Sequence, residues 1–198
     1  MVNWLINNWL ELFGVVSTIV YLTLSIRQSI WLWPLGALSS GLYTAVYFTN
    51  KFYADMGLQV YYLIISIYGF IAWKTHKEQK GEELRISSPT SKQWIMLSLA
   101  TIAIFIFLHW LLSTFTDSPI PTGDAFTTAL AITATWMLTR KMIEQWLIFI
   151  VADGVSAVLY STKEMYLTTG LYVIYTIMAI AGYIKWRKAR LEMGIVKL

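Results

Sequence analysis

A chain of 198 residues that is 57% hydrophobic and only 13% charged, with mean hydropathy +0.58, lacks the make-up of a soluble domain, which carries about twice that charged fraction. It contains no cysteine, which excludes disulfides, thiolate metal sites and a cysteine nucleophile. The net charge of +4 raises nucleic acid as a partner, but the placement of the basic residues argues against it.

In chain order, the N-terminal MVNWLINNWLELF lacks the basic region of a cleaved signal peptide, so the first span is expected to be retained. Seven stretches are apolar enough to cross a bilayer, where about 20 residues are needed. They are roughly 9–26, 30–49, 54–73, 93–115, 124–139, 143–162 and 166–186. Only 74–92 and 116–123 read as real loops, bounded by capping and helix-stopping residues. Lysine and arginine are retained on the cytoplasmic side. With the N-terminus outside and the C-terminus inside, 13 of the 15 basic residues fall inside, leaving only Lys51 and Lys163 outside. The basic charge is thus topological and marks the cytoplasmic side of a membrane that the chain is expected to span.

Shifted by 113 residues, the sequence aligns with itself without a gap. Of the 45 pairs from residue 30 to 74, 15 are identical, among them Trp33/Trp146, Gly41/Gly154, Tyr47/Tyr160, Gly57/Gly170, Gly69/Gly182 and Trp73/Trp186. Paired Gly, Tyr and Trp in register mark a duplication, and Arg27 meets Arg140 in the weaker first helix. Three helices per copy with one helix between them make both copies run the same way, as parallel repeats. The expected fold is therefore an all-α integral membrane protein of seven transmembrane helices in a 3+1+3 plan. Repeat one covers 9–74, the linker helix 93–115 and repeat two 124–187, within one transmembrane domain. Transporters of this plan hold the solute near the midplane, between the halves.

The candidate binding residues come from faces. In the sixth span, Trp146, Phe149, Asp153, Ser156 and Tyr160 lie three or four apart, and Trp33, Gly36, Ser40, Tyr43 and Tyr47 match them in the second; such spacing gathers side chains on one helix face. Asp55, Gln59, Tyr62 and Ser66 pair likewise with Thr168, Tyr172, Tyr175 and Ala179. An ionised aspartate at mid-span costs about 2.5–3.5 kcal/mol on insertion scales. Asp153 is therefore either a carboxylate holding a cationic or hydroxyl-rich ligand, or a protonated group bonding a neighbouring helix. Gln59, which both donates and accepts, is a ligand group or an interhelical bridge. Trp146 and Phe149 are candidates for stacking on a flat or cationic ring. Trp4, Trp9, Trp31, Trp73 and Trp186 read as interfacial belts. Gly41, Gly154, Gly57 and Gly170 read as close helix-packing sites, and Pro34 as a kink or hinge.

An enzyme is not expected. The histidines are His76, in a loop, and His109, alone in the linker helix, and no nucleotide-binding, metalloprotease or nucleophile-elbow motif occurs. No metal or cofactor site is suggested.

The run WLIFIVADGVS, followed by LYSTKEMYLTTGLY and GYIKW, together with Arg140, Lys141, Glu144 and Trp146 in R-K-x-x-E-x-W, resembles the PnuC family of bacterial vitamin transporters. The resemblance covers essentially the whole chain. It implies a SWEET-like fold, a homotrimer, and facilitated diffusion of a vitamin that a cytoplasmic kinase then traps, with the lipid bilayer and the small-molecule vitamin as partners. The residues placed in the pathway are Ser40, Tyr43, Gln59 and Tyr62 from repeat one, with Trp146, Phe149, Asp153, Tyr172 and Tyr175 from repeat two. Nicotinamide riboside members carry W-x-x-W at the start of the sixth helix, whereas here Phe149 follows Trp146. Thiamine, a flat cation, is the expected substrate on that ground, with nicotinamide riboside as the alternative. A vitamin-binding subunit of an ATP-driven importer is a further reading, weakened by seven spans, the repeat, and a first helix (LFGVVSTIVYLTLSI) without alanine.

Overall fold

The computed structural model describes residues 9–195 apart from 50 and 52, so the expectations for Trp4 and for Lys197 lie outside the described residues. Seven helices follow one another: α1 (Trp9–Ile26), α2 (Leu32–Thr49), α3 (Tyr53–Lys80), α4 (Ser91–Phe115), α5 (Pro121–Thr139), α6 (Gln145–Thr162) and α7 (Tyr166–Ile195). Four stretches among the described residues are long and apolar enough to cross a membrane, namely Asp55–Gln79, Ser91–Phe115, Gln145–Thr162 and Tyr166–Glu192.

Two helices run well past the spans 54–73 and 166–186 that the sequence predicts. α3 continues to Lys80 and α7 to Ile195. Hydropathy measures membrane depth, whereas Lys, Glu and Gln are good helix formers in water. Lys74 and Glu78, 3.8 Å apart on one exposed face, add the modest support of a pair four residues apart. Gly81 then ends α3 with φ +68°, its N–H donating to the Lys77 carbonyl. Pro34 kinks nothing. It is the third residue of α2, in the first turn, where a missing N–H leaves no helical bond unmade.

The chain divides into two compact units between Leu84 and Arg85. In the first, α2 packs mainly on α3 and more lightly on α1. In the second, α4 to α7 pack in series. α5 buries Ala125, Ala129, Thr133, Ala134 and Thr135, small residues that let its neighbours approach closely. α4 buries only Leu97 and meets α5 through a 2.7 Å hydrogen bond between the Thr101 and Thr133 hydroxyls. Threonine is abundant, and most of its hydroxyls donate to a carbonyl of their own helix, as at Thr18, Thr23, Thr44, Thr135 and Thr176. Such self-satisfied hydroxyls are tolerated in lipid and need no pathway to explain them.

The 113-residue register recurs in local geometry. Among the described residues, the non-glycine positions with positive φ are Gln28 (55°) and Lys141 (47°), and Lys51 (62°) and Glu164 (59°). Each pair is related by that shift. All four turn the chain between helices, where left-handed backbone is sparsely populated outside glycine.

The connector after α3 is not free. Ser87 donates its N–H to the Lys141 carbonyl at 3.0 Å and accepts from the Ile143 N–H at 3.0 Å, forming an isolated parallel bridge with Met142. The Ser87 hydroxyl donates to the Arg140 carbonyl at 3.3 Å, and Arg190 Nη1 donates to the Ser88 hydroxyl at 2.6 Å. Ile86 and Pro89 are buried, and Thr90 with Gln93 closes a capping box on α4. Residues 85–90 thus strap the corner between α5 and α6, in place of the open loop that composition predicts for 74–92.

Candidate functional site

In each unit the polar stripes face inward. On α2, Ser40 is buried and Tyr43 and Tyr47 are half-buried, while Leu38, Leu42 and Phe48 are exposed. On α3, Gln59 and Tyr62 are half-buried and Ser66 is buried, opposite exposed Ile64, Ile67 and Ile71, while Asp55, expected on the same face, is exposed at the start of the helix. On α6, Ser156 is buried and Phe149, Asp153 and Tyr160 are half-buried, with Leu147, Val151 and Val158 outward. On α7, Thr168, Tyr172 and Tyr175 are half-buried and Ala179 is buried, with Ile174, Ile177 and Ile184 outward. Apolar outer faces suit lipid, which leaves the inner faces for polar work.

What distinguishes the inward groups is whether the protein already engages them. Tyr43 lies against Gly14 and pairs with Tyr47 at 6.0 Å, and Tyr62 meets Tyr61 edge-on at 5.5 Å. Tyr172 stacks on Tyr160 at 5.3 Å with the rings 9° from parallel, and meets Tyr175 at 5.7 Å and 77°. Lys163 Nζ stands 5.4 Å from the centre of the Tyr160 ring. Three of the larger groups have no such partner. The Gln59 amide makes no hydrogen bond, the Phe149 ring meets no other ring, and the Asp153 carboxylate has no cation beside it among the described residues. Within the second unit, a half-buried carboxylate one turn from an unpaired ring can hold a flat cation; within the first, the Gln59 amide is free to give and accept one bond each.

The tryptophans are placed differently from expectation. Trp33 and Trp146 are 0% and 1% exposed. Trp33 packs on Gly69 and meets Trp73 edge-on at 5.4 Å and 88°. Trp146 packs on Gly182 and meets Trp186 at 5.6 Å and 85°. Trp73 and Trp186 are therefore core rings and not an interfacial belt; Trp31 is exposed, and the side chain of Trp9 lies outside the described residues. In this conformation Trp146 offers no ring face to a ligand. The four glycines expected to pack also differ, since a methyl built on Gly41, Gly57, Gly154 or Gly170 meets nothing within 4 Å. Close contacts occur instead at Gly14, Gly36, Gly69, Gly123 and Gly182.

One residue was missed by face analysis. Gln145 is fully buried at the first turn of α6, yet neither atom of its amide has a protein partner. Its counterpart in the 113-residue register is Leu32, a polar-for-apolar exchange that was the available signal. Lys141, at the corner before it, is also buried, at 2% exposure.

Comparison with known proteins bears on this arrangement. The family model described as Nicotinamide mononucleotide transporter matches residues 8–188. The chain belongs to this family. It is 23% identical over 211 residues to the nicotinamide riboside transporter PnuC of Escherichia coli, covering 94% of this chain and 88% of the relative. It is 27% identical over 194 residues to PnuC of Neisseria mucosa, with 92% and 73% covered. The riboflavin/roseoflavin transporter RibM of Streptomyces davaonensis is 25% identical over 183 residues, with 90% and 84% covered. The crystal structure of the vitamin B3 transporter PnuC aligns with a TM-score of 0.72 and 25% identity, covering 93% of this chain and 83% of that one. Membership makes this a multi-pass membrane transporter of the vitamin-carrying class.

Proposed function

We propose that the protein carries nicotinamide riboside across the bacterial cytoplasmic membrane by facilitated diffusion, as a carrier and not an enzyme. The observation that carries this reading is the unpaired Asp153 carboxylate one helical turn from the unpaired Phe149 ring. The pyridinium of nicotinamide riboside is flat and cationic, so it gains from both groups. In the second unit Tyr172 and Tyr175 serve the carboxamide and ribose hydroxyls, and Trp146 sets the helix pair that presents Phe149; in the first, Ser40, Tyr43, Gln59 and Tyr62 are the polar groups of the inner faces of α2 and α3 that a solute can use. Thiamine, expected from the Phe149 departure, meets the same charge requirement, but the names borne by the relatives favour the nicotinamide riboside alternative. Riboflavin, carried by RibM by its name, is neutral and leaves Asp153 without a counter-charge.

The architecture that goes with this reading is two parallel three-helix repeats, 9–74 and 124–187, joined by the linker helix 93–115, with the N-terminus outside and the C-terminus inside. The uniform 113-residue register of the tryptophan clasps and left-handed turns supports the duplication. Thirteen basic residues on one side support the orientation. We place the protein in a homotrimer, with a cytoplasmic kinase acting on the imported vitamin. The reading of an importer subunit predicts co-purification of an ATPase module. The deciding experiment is uptake of labelled nicotinamide riboside, thiamine and riboflavin into proteoliposomes holding the purified protein. Saturable, gradient-driven uptake of nicotinamide riboside is expected, and its absence sinks the substrate.

A further inference from the structure

Gln145 is the most deeply buried side-chain amide among the described residues, at 0% exposure, and both its oxygen and its nitrogen lack a protein partner. Its neighbours repeat the pattern, for Glu144 Oε2 and Trp146 Nε1 are also buried without a partner. Buried polar atoms are nearly always hydrogen-bonded, and each exception calls for a reason.

The duplication supplies an internal control for whether packing is that reason. At the equivalent point of α2 stands Leu32, also 0% exposed, followed by Trp33 with the same glycine and tryptophan contacts that Trp146 makes. An apolar side chain of similar size therefore fills this niche. The amide is not needed to seat the helix pair, and in an apolar setting it is destabilising. The same contrast does not extend to Trp146 Nε1, because Trp33 Nε1 is orphaned too; that orphan belongs to the clasp itself. The Gln145 amide and Glu144 Oε2 are peculiar to the second copy, where the first has Leu32 and the exposed Trp31, and of the two residues only Gln145 is fully buried.

Its position suits a ligand. Counting along α6, Gln145, Phe149, Ala152 and Ser156 stand four, three and four apart, so Gln145 extends the inward stripe toward the Arg140 corner. That corner, by the distribution of basic residues, is the cytoplasmic end.

We propose that Gln145 is a further substrate-binding residue, whose amide is held for a solute carrying an adjacent donor and acceptor, either the primary carboxamide or the vicinal ribosyl hydroxyls, as it passes the cytoplasmic end. The proposal rests on the transport reading above. An amide pairs with either group through one bond given and one accepted. Because Gln145 is enclosed in this conformation, the pairing belongs to the state in which the corner opens.

The test substitutes Gln145→Leu, which reproduces what Leu32 does, and Gln145→Met, which keeps the length of the chain. Uptake of labelled nicotinamide riboside at subsaturating concentration is measured in proteoliposomes, and thermal unfolding is measured on the same preparations in detergent. Both variants are expected to lose uptake by about tenfold, the effect of one lost hydrogen bond pairing, with an unfolding temperature equal to or above that of the wild type. Variant uptake within about twofold of wild type overturns the proposal, and so does a fall in unfolding temperature in both variants, which makes the amide structural. If the wild type itself moves none of nicotinamide riboside, thiamine and riboflavin, the transport reading fails and this one with it. If the wild type is active and both variants match it, only the role of Gln145 fails.

Discussion

Trp146 lies so close over Gly182 that a methyl group on the glycine would meet three of its ring carbons at 2.8 Å, and Trp33 stands over Gly69 at 2.6 Å in the same way. Both indoles are also closed edge-on by a second tryptophan, Trp186 and Trp73. Edge-to-face ring pairs are worth about 0.5–1.5 kcal/mol beyond the area they bury. The clasp thus fixes α6 on α7 and α2 on α3 at the end of each pair that carries the basic residues.

Gly182→Ala and Gly69→Ala are expected to destabilise by about 1–3 kcal/mol, because the added methyl has only a rigid ring to displace. Gly41→Ala, Gly154→Ala, Gly57→Ala and Gly170→Ala are expected to be neutral or to stabilise by up to about 1 kcal/mol, since the methyl meets open space and alanine is the better helix former. Thermal unfolding of the six variants in detergent separates the two sets.

Asp153→Asn should abolish preference for a cationic vitamin while leaving stability unchanged, because no cation in the described protein depends on that carboxylate. Uptake of nicotinamide riboside and thiamine falls, and uptake of neutral riboflavin does not. Equal losses for all three would mean that Asp153 acts through the fold and not through charge.

Phe149→Trp enlarges the unpaired ring of the inward face. Indole is the best of the aromatic faces for a cation, and a gain of about 0.5–1 kcal/mol corresponds to roughly two- to fivefold lower half-saturation for nicotinamide riboside. Initial uptake rates over a concentration series check this.

Ser87→Pro removes the N–H that bonds Lys141 and should release the strap over the α5–α6 corner. Faster amide exchange is expected through 85–90 and at Ile143. Arg190→Ala, which removes only the exposed bond to Ser88, should be milder, by about 0.5–1.5 kcal/mol at most.

Much of this molecule was readable along the chain. The apolar runs located all seven helices, because hydropathy and helix formation are local properties of neighbouring residues. The three-and-four spacing on α6 and α7 located their inward faces, because helical period is fixed by backbone geometry. The extent of α3 and α7 was not readable in this way, since their charged ends are helical without being apolar.

By itself the amino-acid order settled the membrane class, the 113-residue register and which faces are polar. Only the tertiary structure decided which glycines carry a ring, that Trp73 and Trp186 are core, that the Ser87 strand straps the corner at Met142, and that the Gln145 amide stands without a partner. The physical reason is range. Each of those facts is a contact or its absence between residues tens of positions apart, such as Trp146 with Gly182 or Ser87 with Met142, and pattern along one helix carries no information about what another helix sets against it.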